Sequence, residues 1–438
     1  MSAVEHRVVR ALQSVFGNNA DLAARRSGFT LRSSKLMGST FVQGLVFGWL
    51  HNPNATLEEL AQAVGNLGVP ISPQGVDQRF GPEAAALLRQ VLHEAVLQVI
   101  SVQPAAVPLL QRFIGGVSLL DTTTLALPRV FADTWPGSGS HQQPAAMKAQ
   151  VRLDLLDGTL SGPFLFAARQ HDQSGLLHKT PLRAGALQLA DLGFFSLDRL
   201  QDLHEQGVFW LTRIQITTHL VDQSGKVYTP AELLRSQNSD RVDAPMLLGS
   251  DHGLPCRFLA FRVPPSVVAQ RRRRWQRRGQ RNGSKPHPDR DFLAHWNFWV
   301  TNIPVDKLSL DEAWILARCR WQIELLFKLW KSEGHLDESR SEKPWRILCE
   351  IYAKLIGMIV QHWLLLISCW SHSDRSLVKA SRTVRMHAMA VALVLRHGHL
   401  VYGILKHLQR CLATGCRVGR RHRDPPTYRL LRGLSQAA

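Results

Sequence analysis

The spacing of apolar residues changes character along the chain, and each change marks a structural regime. Residues 1 to about 103 carry apolar positions at helical spacing. Within them, NATLEELAQAVGNLGVPISPQGVDQRF holds two helix starts. Thr56 with Glu59 has the form of a capping box, and Ser72 followed by Pro73 is an N-cap with proline at the first helical position. Two short helices across a glycine-containing turn describe a helix-turn-helix and a plain helical hairpin equally well.

From about residue 114, continuous and alternating apolar runs replace the helical period. GGVSLLDTTTLALP predicts a buried strand, and KAQVRLDLLDGTLSGPFLFAAR predicts two strands around an Asp157-Gly158 turn. A short helical stretch near 179–186, the strand ALQLADLG, a helix capped by Ser196 and the strand VFWLTRI follow. Residues 214–292 break this rhythm with short strand-like pieces. They include QRRRRWQRRGQRNGSKPHPDR, whose charge density and Gly and Pro content predict a mobile loop. HWNFWVTNIP predicts a last strand, and helices are expected over 310–332, 344–370 and 384–408, before a basic tail, CRVGRRHRDPPTYRLLRG. The expected architecture is α/β: a mixed sheet flanked by helices, formed by 104–213 and 293–370 and interrupted by a β-rich insertion at 214–292. An all-α N-terminal domain (1–103) and a helical C-terminal region (371–438) complete it.

Charge narrows the partner. The 438 residues hold 53 Lys and Arg against 34 Asp and Glu, a net charge of +19, which points to a polyanion and first of all to nucleic acid. The basic segment reads as a phosphate-gripping arm, with Arg271, Arg272, Arg273, Arg274, Arg277 and Arg278 around a Trp275 able to stack or wedge. Cys256, Cys319, Cys349, Cys369, Cys411 and Cys416 show no CxxC spacing, so neither a disulfide framework nor a zinc site is expected and a reducing cytosol is. The N-terminal MSAVEHRVVRALQ lacks the apolar core of a signal peptide. The run LIGMIVQHWLLLISCW (Leu355–Trp370) is about one turn short of a membrane span and contains Gln361 and His362, which predicts a buried core helix and no membrane partner.

Candidate chemistry lies in CRWQIELLFKLWKSEGHLDE. At about 100° per residue, Glu324 and Lys331 fall within about 40° of Arg320, a charged stripe on an otherwise apolar helix, with Lys328 a further cation. An Arg320–Glu324 pair satisfying itself is the plain reading. Two further acids change it: Asp121 within the apolar SLLDTTTLALP, and Asp191 at the end of LQLADLG. Together they give three carboxylates, two on strands and one on a helix, the oxygen donors that hard divalent cations such as Mg²⁺ take. Two such ions about 3.5–4 Å apart activate an attacking oxygen and stabilise the leaving one in phosphoryl transfer.

The segment ARCRWQIELLFKLWKS resembles the signature helix of the IS-four family of insertion-sequence transposases, DDE enzymes with a ribonuclease-H-like catalytic domain. That motif is Tyr, two residues, Arg, three residues, Glu, six residues, Lys. Arg320, Glu324 and Lys331 match it and Ala317 stands in the Tyr position. LLDTTTLALP and LADLGFFSLD resemble the motifs of the two aspartates, giving Asp121 and Asp191. The resemblance covers roughly 114–370. It implies Asp121, Asp191 and Glu324 as metal-holding catalytic residues, two Mg²⁺ ions replaceable by Mn²⁺, and Arg320, Lys328 and Lys331 on DNA phosphates. Trp296 and Trp299 fall where relatives stack a displaced base, with sheet packing as their alternative. The implied activity is cut-and-paste transposition on double-stranded DNA, at terminal inverted repeats and target, by a homodimer in the cytoplasm, associated with the nucleoid. The alternative is a catalytically inactive, transposase-derived DNA-binding regulator, against which the presence of all three carboxylates argues.

Overall fold

Helix starts are set by side chains. Thr56 Oγ1 accepts the Glu59 N–H at 3.2 Å while the Glu59 carboxylate accepts the Thr56 N–H at 2.7 Å, opening Leu57–Asn66. Ser309 opens Leu310–Cys319 with the same reciprocal pair, to Glu312, while Ser72 and Ser196 cap Pro73–Asp77 and Leu197–Glu205 by accepting one N–H each, from Gly75 and Arg199. The computed structural model describes residues 2–32, 35–139, 143–282 (backbone alone over 278–282), 287–368, 370 and 375–418. Cys369 and the basic tail from 419 lie outside the described residues.

The strands are β1 (Val117–Leu127), β2 (Ala145–Asp154), β3 (Leu160–Ala167), β4 (Leu187–Ala190), β5 (Phe209–Thr212), β6 (Leu220–Val221), β7 (Val227–Tyr228), β8 (Arg241–Leu248), β9 (Leu254–Arg262) and β10 (Trp296–Thr301). The chain forms two units. One holds the residues up to Val107, Asp121–Lys179 and Trp321 onward; the other holds Pro108–Leu120 and Thr180–Arg320.

In the first unit the Asp157-Gly158 turn joins β2 and β3 as an antiparallel pair, from Met147↔Ala167 to Leu153↔Leu160, and β2 lies beside β1. Its core is built on the Pro344–Leu366 helix, packed between the Gly38–His51 and Pro82–Leu97 helices. Among the described residues this is the one helix long and apolar enough to cross a membrane, yet 94% of its apolar stretch is buried within the protein. The N-terminal helices therefore do not stand apart from the C-terminal region: Leu377–Val394 also packs on Gly38–His51. A Cβ on Gly44 would stand 2.4 Å from Val64 Cγ2, so the bare glycine is what lets Gly38–His51 approach Leu57–Asn66. The helix expected over 384–408 is two, Leu377–Val394 and Gly398–Thr414, separated by a turn in which the His397 N–H donates to Val394 O at 2.8 Å. Residues 54–80 form two helices, Leu57–Asn66 and the short Pro73–Asp77. Pro73–Asp77 has five residues, about 7.5 Å of helix, short for an element laid along a groove. Its Asp77 is engaged by Lys343 and Arg346.

His362, fully buried on Pro344–Leu366, donates from Nε2 to the Gly158 carbonyl at 2.8 Å, tying the core helix to the β2–β3 turn. Burial pushes its pKa from 6.5 down to about 4. The unfolded chain therefore takes up the proton first as pH falls, so this stabilisation is complete above pH 6.5 and drains away towards pH 4. The loss across that window is about 3 kcal/mol. Urea melts at stepped pH are expected to show it in the wild type and to show a flatter window in His362→Gln, which retains a donor but does not titrate. Parallel curves would refute this role.

In the second unit β1, β4 and β5 run parallel, from Val117↔Leu187 to Leu120↔Ala190 and from Leu187↔Phe209 to Ala190↔Thr212. β10 then pairs antiparallel with β5, and β9, β8, β6 and β7 follow in that order. The result is a mixed sheet with a core of Trp210, Leu248, Phe258 and Val300. The helix expected near 179–186 is instead one turn, Leu176–Lys179, in the first unit, ended where Pro181 disfavours a helical Thr180.

The largest departure from expectation is the basic segment. Pro265–Asn282 is an eighteen-residue helix rather than a loop. Arginine is a strong helix former and Pro265 opens the helix, which carries Gly279 within it.

Candidate active site

β1 is buried on both faces from Val117 to Leu120, and Asp121 is the first residue on it with partial exposure. The Thr122 N–H donates to Asp121 Oδ1 at 2.8 Å, which orients the carboxylate. Asp191 follows the last residue of β4 and starts the single 3₁₀ turn Leu192–Phe194. Its backbone carbonyl accepts from Phe194 N at 2.9 Å, while its side chain makes no capping bond. The last register pair of the two parallel strands is Leu120↔Ala190, and on each strand the next residue is an aspartate.

The helix expected over 310–332 is two, Leu310–Cys319 and Trp321–Ser332, joined through Arg320, whose backbone stays helical (φ −53°, ψ −30°). Glu324 lies in the first turn of the second, half-buried beside the buried Ile323, Leu326 and Phe327. Lys331, two turns on, donates from Nζ to the Thr124 carbonyl of β1 at 3.2 Å and stands 3.6 Å from Asp337. The helix is thereby held against the C-terminal half of β1, both in the first unit. Lys328 is exposed on the same helix. A set of carboxylates without imidazole or thiol suits a hard divalent cation.

The support behind Lys331 is not among the residues expected from the sequence. Lys354, on Pro344–Leu366, is buried and ion-paired with Glu350 at 2.7 Å, and it donates to the carbonyls of His335 and Glu338 at 2.8 and 2.9 Å. These bonds hold the turn that carries Asp337, and His335 sits in it at φ 47°. A Lys–Glu pair four residues apart within an apolar run was the available signal.

The residues expected on DNA divide sharply. Trp296 and Trp299 are 3% and 6% exposed. Trp296 belongs to the core under the sheet and carries the Arg262 guanidinium on its ring, and Trp299 packs on Phe261 and Trp314. Both rings are engaged in packing within the protein. Arg271 is also spoken for: it donates to the carbonyls of Ala294 and Trp296 at 2.8 Å and to Asn297 Oδ1, pinning its helix to β10. Arg272 forms a bidentate pair with Asp291 at 2.7 Å, and Trp275 is covered by Arg290, 4.6 Å from the ring centroid. By helical angle, Val268, Arg271 and Trp275 share the packed side, while the exposed Arg273, Arg274 and Arg277 share the other. The Arg278 side chain lies outside the described residues.

The family described as Transposase DDE domain matches residues 113–359, a span that contains Asp121, Asp191 and Glu324. The chain is 24% identical over 364 residues to the transposase for insertion sequence element IS231D of Bacillus thuringiensis subsp. finitimus, covering 78% of this chain and 75% of that one. It is 25% identical over 363 residues to the transposase for IS231F of Bacillus thuringiensis subsp. israelensis, covering 77% and 75%. To the transposase for IS1151 of Clostridium perfringens it is 22% identical over 363 residues, covering 78% and 77%. With more than half of its length matched, the chain belongs to the transposase DDE domain family.

Proposed function

We propose that this protein is an insertion-sequence transposase that cuts double-stranded DNA at the element's ends and joins the freed 3′-hydroxyls to target DNA, with Asp121, Asp191 and Glu324 as the catalytic carboxylates. The observation that carries the reading is the register of β1 and β4, in which aspartates directly follow the Leu120↔Ala190 pair. Glu324 is supported by the Lys331–Thr124 bond. Asp121 precedes Thr124 by three residues, about 10 Å of strand, and Glu324 precedes Lys331 by seven, about 10.5 Å of helix on nearly the same face. A helix laid along the strand in the same direction would bring Glu324 level with Asp121.

The three carboxylates would hold two Mg²⁺ ions, or Mn²⁺, which supply activation of the attacking oxygen and charge relief at the leaving one. Arg320, Lys328 and Lys331 would neutralise phosphates of the bound end, the arginine bidentately. The spacing of Arg320, Glu324 and Lys331 supports the IS-four relationship. Ala317, in the Tyr position, bears on DNA positioning and leaves the carboxylates untouched. The antiparallel β2–β3 hairpin beside β1 and the parallel β1, β4 and β5 support a ribonuclease-H-like catalytic domain. Joining two ends calls for two copies of the chain on DNA, and the work is that of a cytoplasmic, nucleoid-associated protein.

The test is incubation with duplexes carrying the element's own terminal repeats and either ion. Nicked and then joined products are expected, whereas stable binding without cleavage in Mg²⁺ and in Mn²⁺ would identify a regulator instead. Arg273, Arg274 and Arg277 are read as the backbone grip. Replacing all three by Gln is expected to reduce the slope of log K against log salt by roughly 2–3 units, at about 0.9 per phosphate contact. An unchanged slope, measured by fluorescence anisotropy, removes that helix from the interface.

A further inference from the structure

A second group of ligand-type side chains lies in the C-terminal helices, chemically unlike the carboxylates. His407 and Cys411 are four residues apart on Gly398–Thr414 and so share a face, and His387 reaches them from Leu377–Val394. One ligand atom from each of the three lies within 4.8 Å of the other two. Cys411 Sγ and His407 Nε2 are 3.7 Å apart. Zinc–sulfur and zinc–nitrogen bonds of about 2.3 and 2.0–2.1 Å at a tetrahedral angle put sulfur and nitrogen about 3.6 Å from each other. The two imidazoles stand with centroids 5.2 Å apart, tilted by 50°. His387 Nδ1 lies 2.8 Å from the Thr383 carbonyl, so that nitrogen carries the proton and Nε2 keeps its lone pair, the orientation commonly imposed on a metal-binding histidine.

We propose that His387, His407 and Cys411 bind one zinc-class divalent cation that clasps the two helices together. Cys411 enters as the thiolate, releasing its proton to solvent, and the cation accepts one sulfur and two nitrogen lone pairs with no change of oxidation state; water fills the fourth position. His407 is exposed, which gives the ion a route in. The cysteine spacing predicts no zinc site because two of the three ligands are histidines. Cys416, with Sγ 3.5 Å from Thr383 Oγ1, is outside the trio.

The experiment titrates Co²⁺ into full-length, EDTA-treated, reduced protein in excess Mg²⁺, which saturates carboxylate sites. One equivalent should bind with thiolate-to-cobalt charge-transfer absorption and strong four-coordinate ligand-field bands, both displaced by Zn²⁺. Cys411→Ser should lose the charge-transfer band, His387→Gln should weaken Zn²⁺ binding by at least about tenfold, and Cys416→Ser should bind as wild type. Zn²⁺ should raise the melting temperature of the wild type and not that of Cys411→Ser. The proposal is overturned if the wild type shows no thiolate band, meaning that Cys411 and His407 share only a hydrogen bond. It is equally overturned if the band survives Cys411→Ser or disappears with Cys416→Ser. The wild-type spectrum alone decides the matter if a variant fails to fold.

Discussion

Asp121→Asn and Glu324→Gln are each expected to leave binding of end DNA within about twofold of wild type while lowering cleavage on the order of 10³-fold or more. Both replacements are nearly isosteric. In Asp121→Asn the amide oxygen can still accept the Thr122 N–H that orients the native carboxylate at 2.8 Å, so β1 should be undisturbed. What is lost is charge: an amide is a far poorer ligand for a hard divalent cation than a carboxylate. Metal stabilisation of a phosphoryl-transfer transition state amounts to several kcal/mol, and each 1.36 kcal/mol is a factor of ten in rate, hence about three decades. Binding persists because phosphate contacts from arginine and lysine dominate affinity. Single-turnover cleavage of labelled ends, alongside anisotropy at fixed salt, measures both quantities. Cleavage by Asp121→Asn at the wild-type rate would remove that residue from the chemistry.

Glu350→Leu should cost about 3–5 kcal/mol of stability, the largest effect expected from a residue remote from the carboxylates. Lys354 is 2% exposed and Glu350 5%. Desolvation already pulls the Lys354 pKa down, and the Glu350 charge is the main influence opposing it. Without Glu350 the ammonium keeps the two carbonyls and the weaker influence of the Glu338 and Asp337 charges, and the Ser339 hydroxyl loses the carboxylate to which it donates at 2.7 Å. The double variant Glu350→Leu/Lys354→Met removes both charges and should recover most of the loss, since an apolar pair of similar volume is often neutral in such a place. Urea denaturation of the single and double variants decides it. A single-variant loss below about 1 kcal/mol would mean that water reaches the pair.

Local chemistry explains what could be read from the sequence. Thr56, Ser72 and Ser196 begin helices because each offers an oxygen to an otherwise unpaired N–H, and Asp157-Gly158 turns the chain because Gly158 takes φ 74°. The apolar runs that became β1, β4, β5 and β10 needed only burial. Charge density alone predicts a loop for the arginine-rich segment, but one side of a helix can be packed while the other is solvated. Arg271 and Trp275 lie on the packed side and Arg273, Arg274 and Arg277 on the solvated one. The break before Gly398 was hidden by apolar residues at helical spacing on both sides of it. Asp121, Asp191 and Glu324 stood out individually as acids in apolar settings. Which strand pairs with which is a long-range property, so the Leu120↔Ala190 register and the Lys331–Thr124 bond had to come from the structure. Trp296 and Trp299 show the converse: their type suggests stacking, and their neighbours Phe261, Trp314 and Arg262 show packing.

The most direct measurement is iron-mediated cleavage of the protein itself. Fe²⁺ loaded onto the end-labelled, full-length chain in complex with end DNA, then treated with ascorbate and hydrogen peroxide, cuts the backbone beside its ligands. A shared metal site predicts cuts grouped around residues 121, 191 and 324, suppressed together by excess Mg²⁺ and lost together in Asp121→Asn, whereas any cuts near 387 and 407–411 persist in Mg²⁺. Mg²⁺-suppressible cuts at only one of the three segments, or at none, would contradict a common site.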